Sequence, residues 1–141
     1  MSTVYVNIGT NLGDRHSNLS RALAGVAAGY RLLAVSSTVE SEPWGFASEH
    51  GFLNLCAAFD SGASSPLEVL DAMQEVERSI SPASHRNPDG SYADRIIDID
   101  IVHIEGIEMH SPRLTLPHPH LHDRDFFLLP FREVSEKIHG D

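Results

Sequence analysis

The chain has 141 residues, 41% hydrophobic and 21% charged, with 10 basic against 20 acidic side chains for a formal net charge of −10. That composition excludes long disorder, and the length suits one domain over residues 1–141 whose core needs neither disulfide nor structural metal. The acidic balance argues against a general nucleic-acid binder, and no apolar run approaches membrane-spanning length.

The opening Met-Ser-Thr-Val-Tyr-Val has no basic stretch ahead of an apolar core, so a cytoplasmic protein without an export signal is expected. Thr3 to Gly9 alternates into a first strand. A Gly-Thr-Asn-Leu-Gly-Asp turn follows, too short and too common to count as a phosphate cradle. Asp14 can cap a helix whose apolar face is Leu19, Ala22, Leu23 and Val26. Tyr30 to Val39 is expected as the second strand and Phe52 to Asp60 as the third. Between them, Ser41-Glu42-Pro43-Trp44-Gly45-Phe46 concentrates aromatics, either as a stacking pocket for a flat heterocycle or as core under a loop. The single cysteine, Cys56, lies in the apolar run 53–59 and reads as a buried, inert thiol. Ser65-Pro66-Leu67-Glu68 combines a capping box with proline at the first helical position, opening a helix on Leu70, Met73, Val76 and Ile80.

Residues 81–94 form a long, turn-rich stretch, either a lid or a surface insertion. It runs into Arg-Ile-Ile-Asp-Ile-Asp-Ile at 95–101, where strict alternation predicts a strand. Ile97, Ile99 and Ile101 then face a core, and Asp98 and Asp100 face the other way, about 6–7 Å apart at their Cα atoms. Two like charges side by side on an isoleucine strand call for a cation. Hard carboxylates favour Mg²⁺, which usually brings phosphates, and Arg95, His118 and Arg124 could surround a triphosphate. The nine arginines against the single Lys137 fit phosphate binding too, although base composition would produce the same bias. Pro-His-Pro-His-Leu-His at 117–122 lacks the cysteine partners of a structural zinc site. From Glu105 onward a short hairpin, a histidine-rich turn and a final short helix are expected.

This β-α-β-β-α-β order predicts an α+β, ferredoxin-like sandwich, an antiparallel sheet with both helices on one face and the other open for a ligand. No P-loop and no dinucleotide fingerprint occurs. The residues by themselves therefore point to metal-dependent phosphoryl or nucleotidyl transfer and leave the substrate open.

Six segments taken together resemble the 6-hydroxymethyl-7,8-dihydropterin pyrophosphokinase family. They are 5–14 (Tyr-Val-Asn-Ile-Gly-Thr-Asn-Leu-Gly-Asp), 41–45 (Ser-Glu-Pro-Trp-Gly), 52–54 (Phe-Leu-Asn), 94–101, 114–119 (Leu-Thr-Leu-Pro-His-Pro) and 124–130 (Arg-Asp-Phe-Phe-Leu-Leu-Pro). The resemblance implies an ATP-dependent diphosphokinase of folate biosynthesis that transfers pyrophosphate from ATP to the pterin alcohol and releases AMP. It implies two Mg²⁺ ions on Asp98 and Asp100, with either carboxylate helping to activate the attacking oxygen. Arg95, His118, Arg124 and Thr115 would bind ATP, with Gln74 and Glu77 lining its site. The pterin would lie between Phe52 and Phe126, bonded by Asn54 and by the chain at Ser41, Glu42, Pro43 and Trp44.

Two stretches depart from the family pattern. Ser81-Pro82-Ala83-Ser84 stands where members carry Gly-Arg-x-Arg, and Ser91-Tyr92-Ala93-Asp94-Arg95 where they carry Arg-Trp-Gly-Pro-Arg. Tyr92 would close over the pterin in place of tryptophan. Arg86 is either a catalytic lid cation from a different position or a solvated arginine. The missing arginines motivate an alternative, a pterin- or nucleotide-binding module with weak or lost catalysis. A third reading is an unrelated Asp-x-Asp nucleotidyl transferase. The expected partners are ATP and the pterin, with neither nucleic acid nor membrane, and a monomer is the simplest oligomeric state.

Overall fold

The computed structural model describes residues 2–41, 51–80 and 97–140. The elements in chain order are β1 (Thr3–Thr10), α1 (Arg15–Gly29), β2 (Arg31–Val35), β3 (Val39–Ser41), β4 (Phe52–Asp60), α2 (Pro66–Ile80), β5 (Asp98–Ile104), β6 (Met109–His110), β7 (Thr115–Leu116) and α3 (Asp125–His139). The main sheet runs β2-β4-β1-β5, with β3 also on β4, and every pairing is antiparallel. This is the expected ferredoxin-like order, and β6 with β7 makes the expected hairpin.

Local chemistry starts the two helices on the first sheet face. Asp14 accepts the Ser17 amide at 3.0 Å to cap α1. Ser65 and Glu68 exchange hydrogen bonds ahead of α2, each satisfying a donor the helix leaves open. The two helices bury Leu19, Ala22, Val26, Val69 and Met73 against Val4, Val6, Ile8, Leu55, Phe59, Ile99 and Ile101. Burial of each large apolar side chain there contributes ~1.5–3 kcal/mol before entropy is counted.

Three features differ from expectation. The second strand breaks in two, because Ser36 turns its hydroxyl to the Cys56 amide, at 2.9 Å, while its own amide donates to the Cys56 carbonyl. Pairing resumes at Val39 with the register moved by one residue. The terminal helix is not short: α3 has 15 residues despite Pro130.

The second sheet face is also not open along its whole length. There α3 buries Phe127 and Val134 with Tyr5, Cys56, Ala58, Val102 and Leu121 in a separate apolar cluster. Covered on both sides, β1 and β4 are buried almost end to end. Polar contacts fasten the later turns of α3 as well. Ser37 donates to Glu133 from both its amide and its hydroxyl, and Glu105 accepts from Tyr5 while His139 lies 2.7 Å away. Among the described residues, the end of the face beyond the first turn of α3 is the part left for a ligand.

Candidate functional site

That end is built from cross-strand rows, because residues directly opposite in antiparallel strands share a face. Gly9 pairs with Asp98 on one side and Asn54 on the other, so the three make one row. Asn7 pairs with Asp100 and with Cys56 to make the next. The side chains of Asp98, Asp100, Asn7 and Asn54 therefore stand on one face, opposite Ile97, Ile99 and Ile101 in the core. Two strand spacings of ~4.8 Å put the Asn54 backbone ~10 Å from that of Asp98.

Gly9 is the floor between them. A Cβ at Gly9 would fall 2.7 Å from Asn54 Oδ1 and 3.7 Å from the Phe52 ring. The missing side chain lets the amide lie over the strand with the aromatic ring beside it. Asn54 itself is buried.

The rim comes from α3 and the turn before it. Asn7 Nδ2 donates to the Phe126 carbonyl at 2.8 Å, bringing the start of α3 onto the row of Asp100. Arg124, the N-cap residue, holds its guanidinium over the Phe126 and Phe127 rings, 5.8 and 5.5 Å from their centroids. His118 stands edge-on to Phe127 at 4.9 Å. Burial, with Arg124 and His120 beside it, lowers the His118 pKa to about 4 against an opposing pull from Asp98. The ring is therefore neutral near pH 7. Its Nδ1 accepts the His120 amide at 3.0 Å, which leaves the proton on Nε2 as a donor.

The remaining expected residues lie around this rim. Glu77 Oε2 accepts the Ile99 amide at 2.8 Å, between the two aspartates. Gln74 is half-buried on α2, where Arg113 reaches it at 3.4 Å while pairing with Asp71 at 2.6 Å. Thr115 sits opposite His110 in the β6–β7 ribbon. Ser41 ends β3, its backbone paired with Phe52. Glu42, Pro43, Trp44, Arg86, Tyr92 and Arg95 lie outside the described residues. The structure thus brings together Phe52, Asn54, Asp98, Asp100, His118, Arg124 and Phe126.

Sequence reasoning missed Gly9 and Asn7. A glycine inside a strand signals a close approach, and Asn7 is a polar residue on a strand otherwise set for burial, so both carried a signal.

Among the described residues no group of three or more His, Cys, Asp or Glu side chains is arranged to hold a metal. Two hard carboxylates suit Mg²⁺, which binds through one or two protein carboxylates and takes its other ligands from phosphates and water. The donor set fits a cation that arrives with a nucleotide.

The family model described as 7,8-dihydro-6-hydroxymethylpterin-pyrophosphokinase matches residues 5–136. A relative from Porphyromonas gingivalis, 2-amino-4-hydroxy-6-hydroxymethyldihydropteridine pyrophosphokinase, is 43% identical across 100% of this chain and 96% of its own length. Proteins of the same name from Methylorubrum extorquens and Aquifex aeolicus are each 31% identical across 98% of this chain, and across 85% and 83% of their own lengths.

Proposed function

The chain belongs to the 7,8-dihydro-6-hydroxymethylpterin-pyrophosphokinase family, and from that premise we propose how its own residues divide the reaction. It is an ATP-dependent transferase of folate biosynthesis that moves pyrophosphate to 6-hydroxymethyl-7,8-dihydropterin. The hydroxymethyl oxygen attacks the β-phosphorus, the bond to the α-phosphate oxygen breaks, AMP leaves and the hydroxyl proton is lost.

Asp98 and Asp100 hold two Mg²⁺ ions, whose charge would offset that of the ATP phosphates. The row carrying Asp98, Gly9 and Asn54 is the observation that supports this division. Asn54 bonds the edge of the pterin, Gly9 leaves room for its plane, and the hydroxymethyl arm extends toward the carboxylates. Phe52 and Phe126 cover the two faces of the ring, main-chain groups at Ser41, Glu42, Pro43 and Trp44 would bond it, and Tyr92 would close over it. Arg124 and the Nε2–H of His118 hold phosphate oxygens, with Arg95, Arg86 and Thr115. Glu77 and Gln74 line the nucleotide side. Positioning and charge stabilisation are most of what this chemistry asks of a protein.

In this reading one domain, 1–141, carries the whole reaction as a cytoplasmic monomer. No helix among the described residues is long and apolar enough to cross a membrane. The test combines purified protein, ATP, MgCl₂ and the reduced pterin alcohol and follows AMP. Pterin-dependent AMP release is expected. Tight pterin binding without AMP would favour a binding module instead, which no observation now supports, and absence of pterin binding would sink the site assignment.

A further inference from the structure

Pro130 stands in the second turn of α3, and its backbone nitrogen carries no hydrogen. The carbonyl four residues earlier, that of Phe126, therefore loses its helical donor, and the proline ring crowds the same carbonyl. Phe126 O accepts instead from Asn7 Nδ2 at 2.8 Å. Asn7 is 2% exposed and lies in the row between Asp100 and Cys56.

We propose that Asn7 is a positioning residue: it supplies the hydrogen bond that Pro130 cannot, and so sets where the pterin-covering ring of Phe126 stands over the carboxylate strand. The inference rests on the assignment of Phe126 to the pterin. Along this face of β1 three residues divide the labour. Tyr5 packs edge-on against Phe131 at 4.9 Å and bonds Glu105 at 2.6 Å, under the second half of α3. Asn7 takes the first turn of the helix, and Gly9 lies beyond it as the floor. Because Arg124 stacks on Phe126 and Phe127, ring and cation shift together if that turn loosens. Proline at 130 and asparagine at 7 thus form one functional pair.

The test is a double-mutant cycle read by steady-state kinetics at saturating ATP and MgCl₂. Asn7→Ala leaves a partly buried carbonyl without its donor and is expected to raise the KM for the pterin alcohol about tenfold, more than it lowers kcat. Pro130→Ala restores an N–H at position 130. Alone it should leave KM near wild type, and combined with Asn7→Ala it should bring KM back to within about twofold. Asn7→Val, which suits a central strand and offers no donor, replaces the alanine variant if that does not fold. Phe126→Ala, measured in parallel, should raise the pterin KM by at least as much. An unchanged KM in Asn7→Ala beside a raised KM in Phe126→Ala would overturn the positioning role alone. Failure of Pro130→Ala to rescue would overturn it too, by showing that Asn7 acts through something other than the missing N–H. An unchanged KM in Phe126→Ala would remove the pterin assignment and the inference with it.

Discussion

The carboxylate of Glu77 accepts the amide hydrogen of Ile99, the residue between Asp98 and Asp100, at 2.8 Å. Among the described residues β5 is an edge of the sheet, and this bond from α2 satisfies an amide that no other described strand pairs. Glu77→Leu should cost ~1–3 kcal/mol of stability in urea denaturation, the range for leaving a shielded donor unpaired. It should lower turnover while leaving the pterin KM near wild type, because Asn54 sits two strands away. Equal stability and turnover would mean that the edge strand needs no such fastening.

Gly9→Ala tests the floor of the site. The added methyl would sit 2.7 Å from Asn54 Oδ1, so the amide must rotate away. A misplacement of about 1 Å can cost up to ~10²-fold in rate, and the loss should appear mainly as a raised pterin KM. Melting temperature should fall only slightly, since the methyl also shields apolar surface. Unchanged pterin kinetics would show that Asn54 does not touch this substrate.

Asp98→Asn and Asp100→Asn keep shape and remove charge. Losing several kcal/mol of charge stabilisation corresponds to on the order of 10³ in rate. Each variant should lose Mg²⁺-dependent ATP binding in calorimetry along with turnover. Full turnover in either would refute that residue as a metal ligand.

Acid should loosen α3. Glu105 is held below the ordinary carboxylate value of 4.5 by the Tyr5 hydroxyl and by His139. Glu133 is held below it by the Ser37 hydroxyl and amide and by Lys137. The unfolded chain therefore takes up these protons first, and the stability they contribute is present above pH 4.5 and lost as pH falls through the lower folded values. Urea midpoints measured from pH 6 to pH 3 should fall less steeply for Glu105→Gln with Glu133→Gln than for wild type. Parallel profiles would locate the acid sensitivity elsewhere.

Cys56 should be chemically silent. It is fully buried beneath α3, and burial raises its thiol pKa. A disulfide reagent should label no thiol in the native protein and one in denaturant. Rapid native labelling would mean that α3 lifts from the sheet on the timescale of the reaction.

What was legible in the sequence was chemistry that acts over a few residues. Asp14, the Ser65–Glu68 box and the alternation of Ile97, Asp98, Ile99, Asp100 and Ile101 all declare themselves within one turn or strand. The break at Ser36 was not legible, because its cause is the Cys56 amide on another strand. Neither was the roof that α3 makes, since an amphipathic stretch does not reveal which sheet face it will cover. Gly9 and Asn7 carried visible signals, yet their meaning depends on register: Gly9 matters because Asn54 lies opposite it, and Asn7 because Phe126 arrives above it. The family motifs, carried over residue by residue, draw attention to the aspartates and aromatics but not to the two positions between them.

The ladder between β1 and β5 shifts by one residue between Tyr5 and Val6. Val102 is the extra residue, and it packs into the second apolar cluster beside Tyr5. This gives the strand one place where chain length can change. Deleting Val102 would close the ladder into a regular one, with both aspartates still facing outward and the isoleucines still inward. Deleting Ile99 would instead bring Asp98 opposite Ile8 and drive a carboxylate into the core. Shortenings by one residue should therefore be survivable in this strand around Val102 and ruinous near the aspartates, however mild the substitutions tolerated at the same positions.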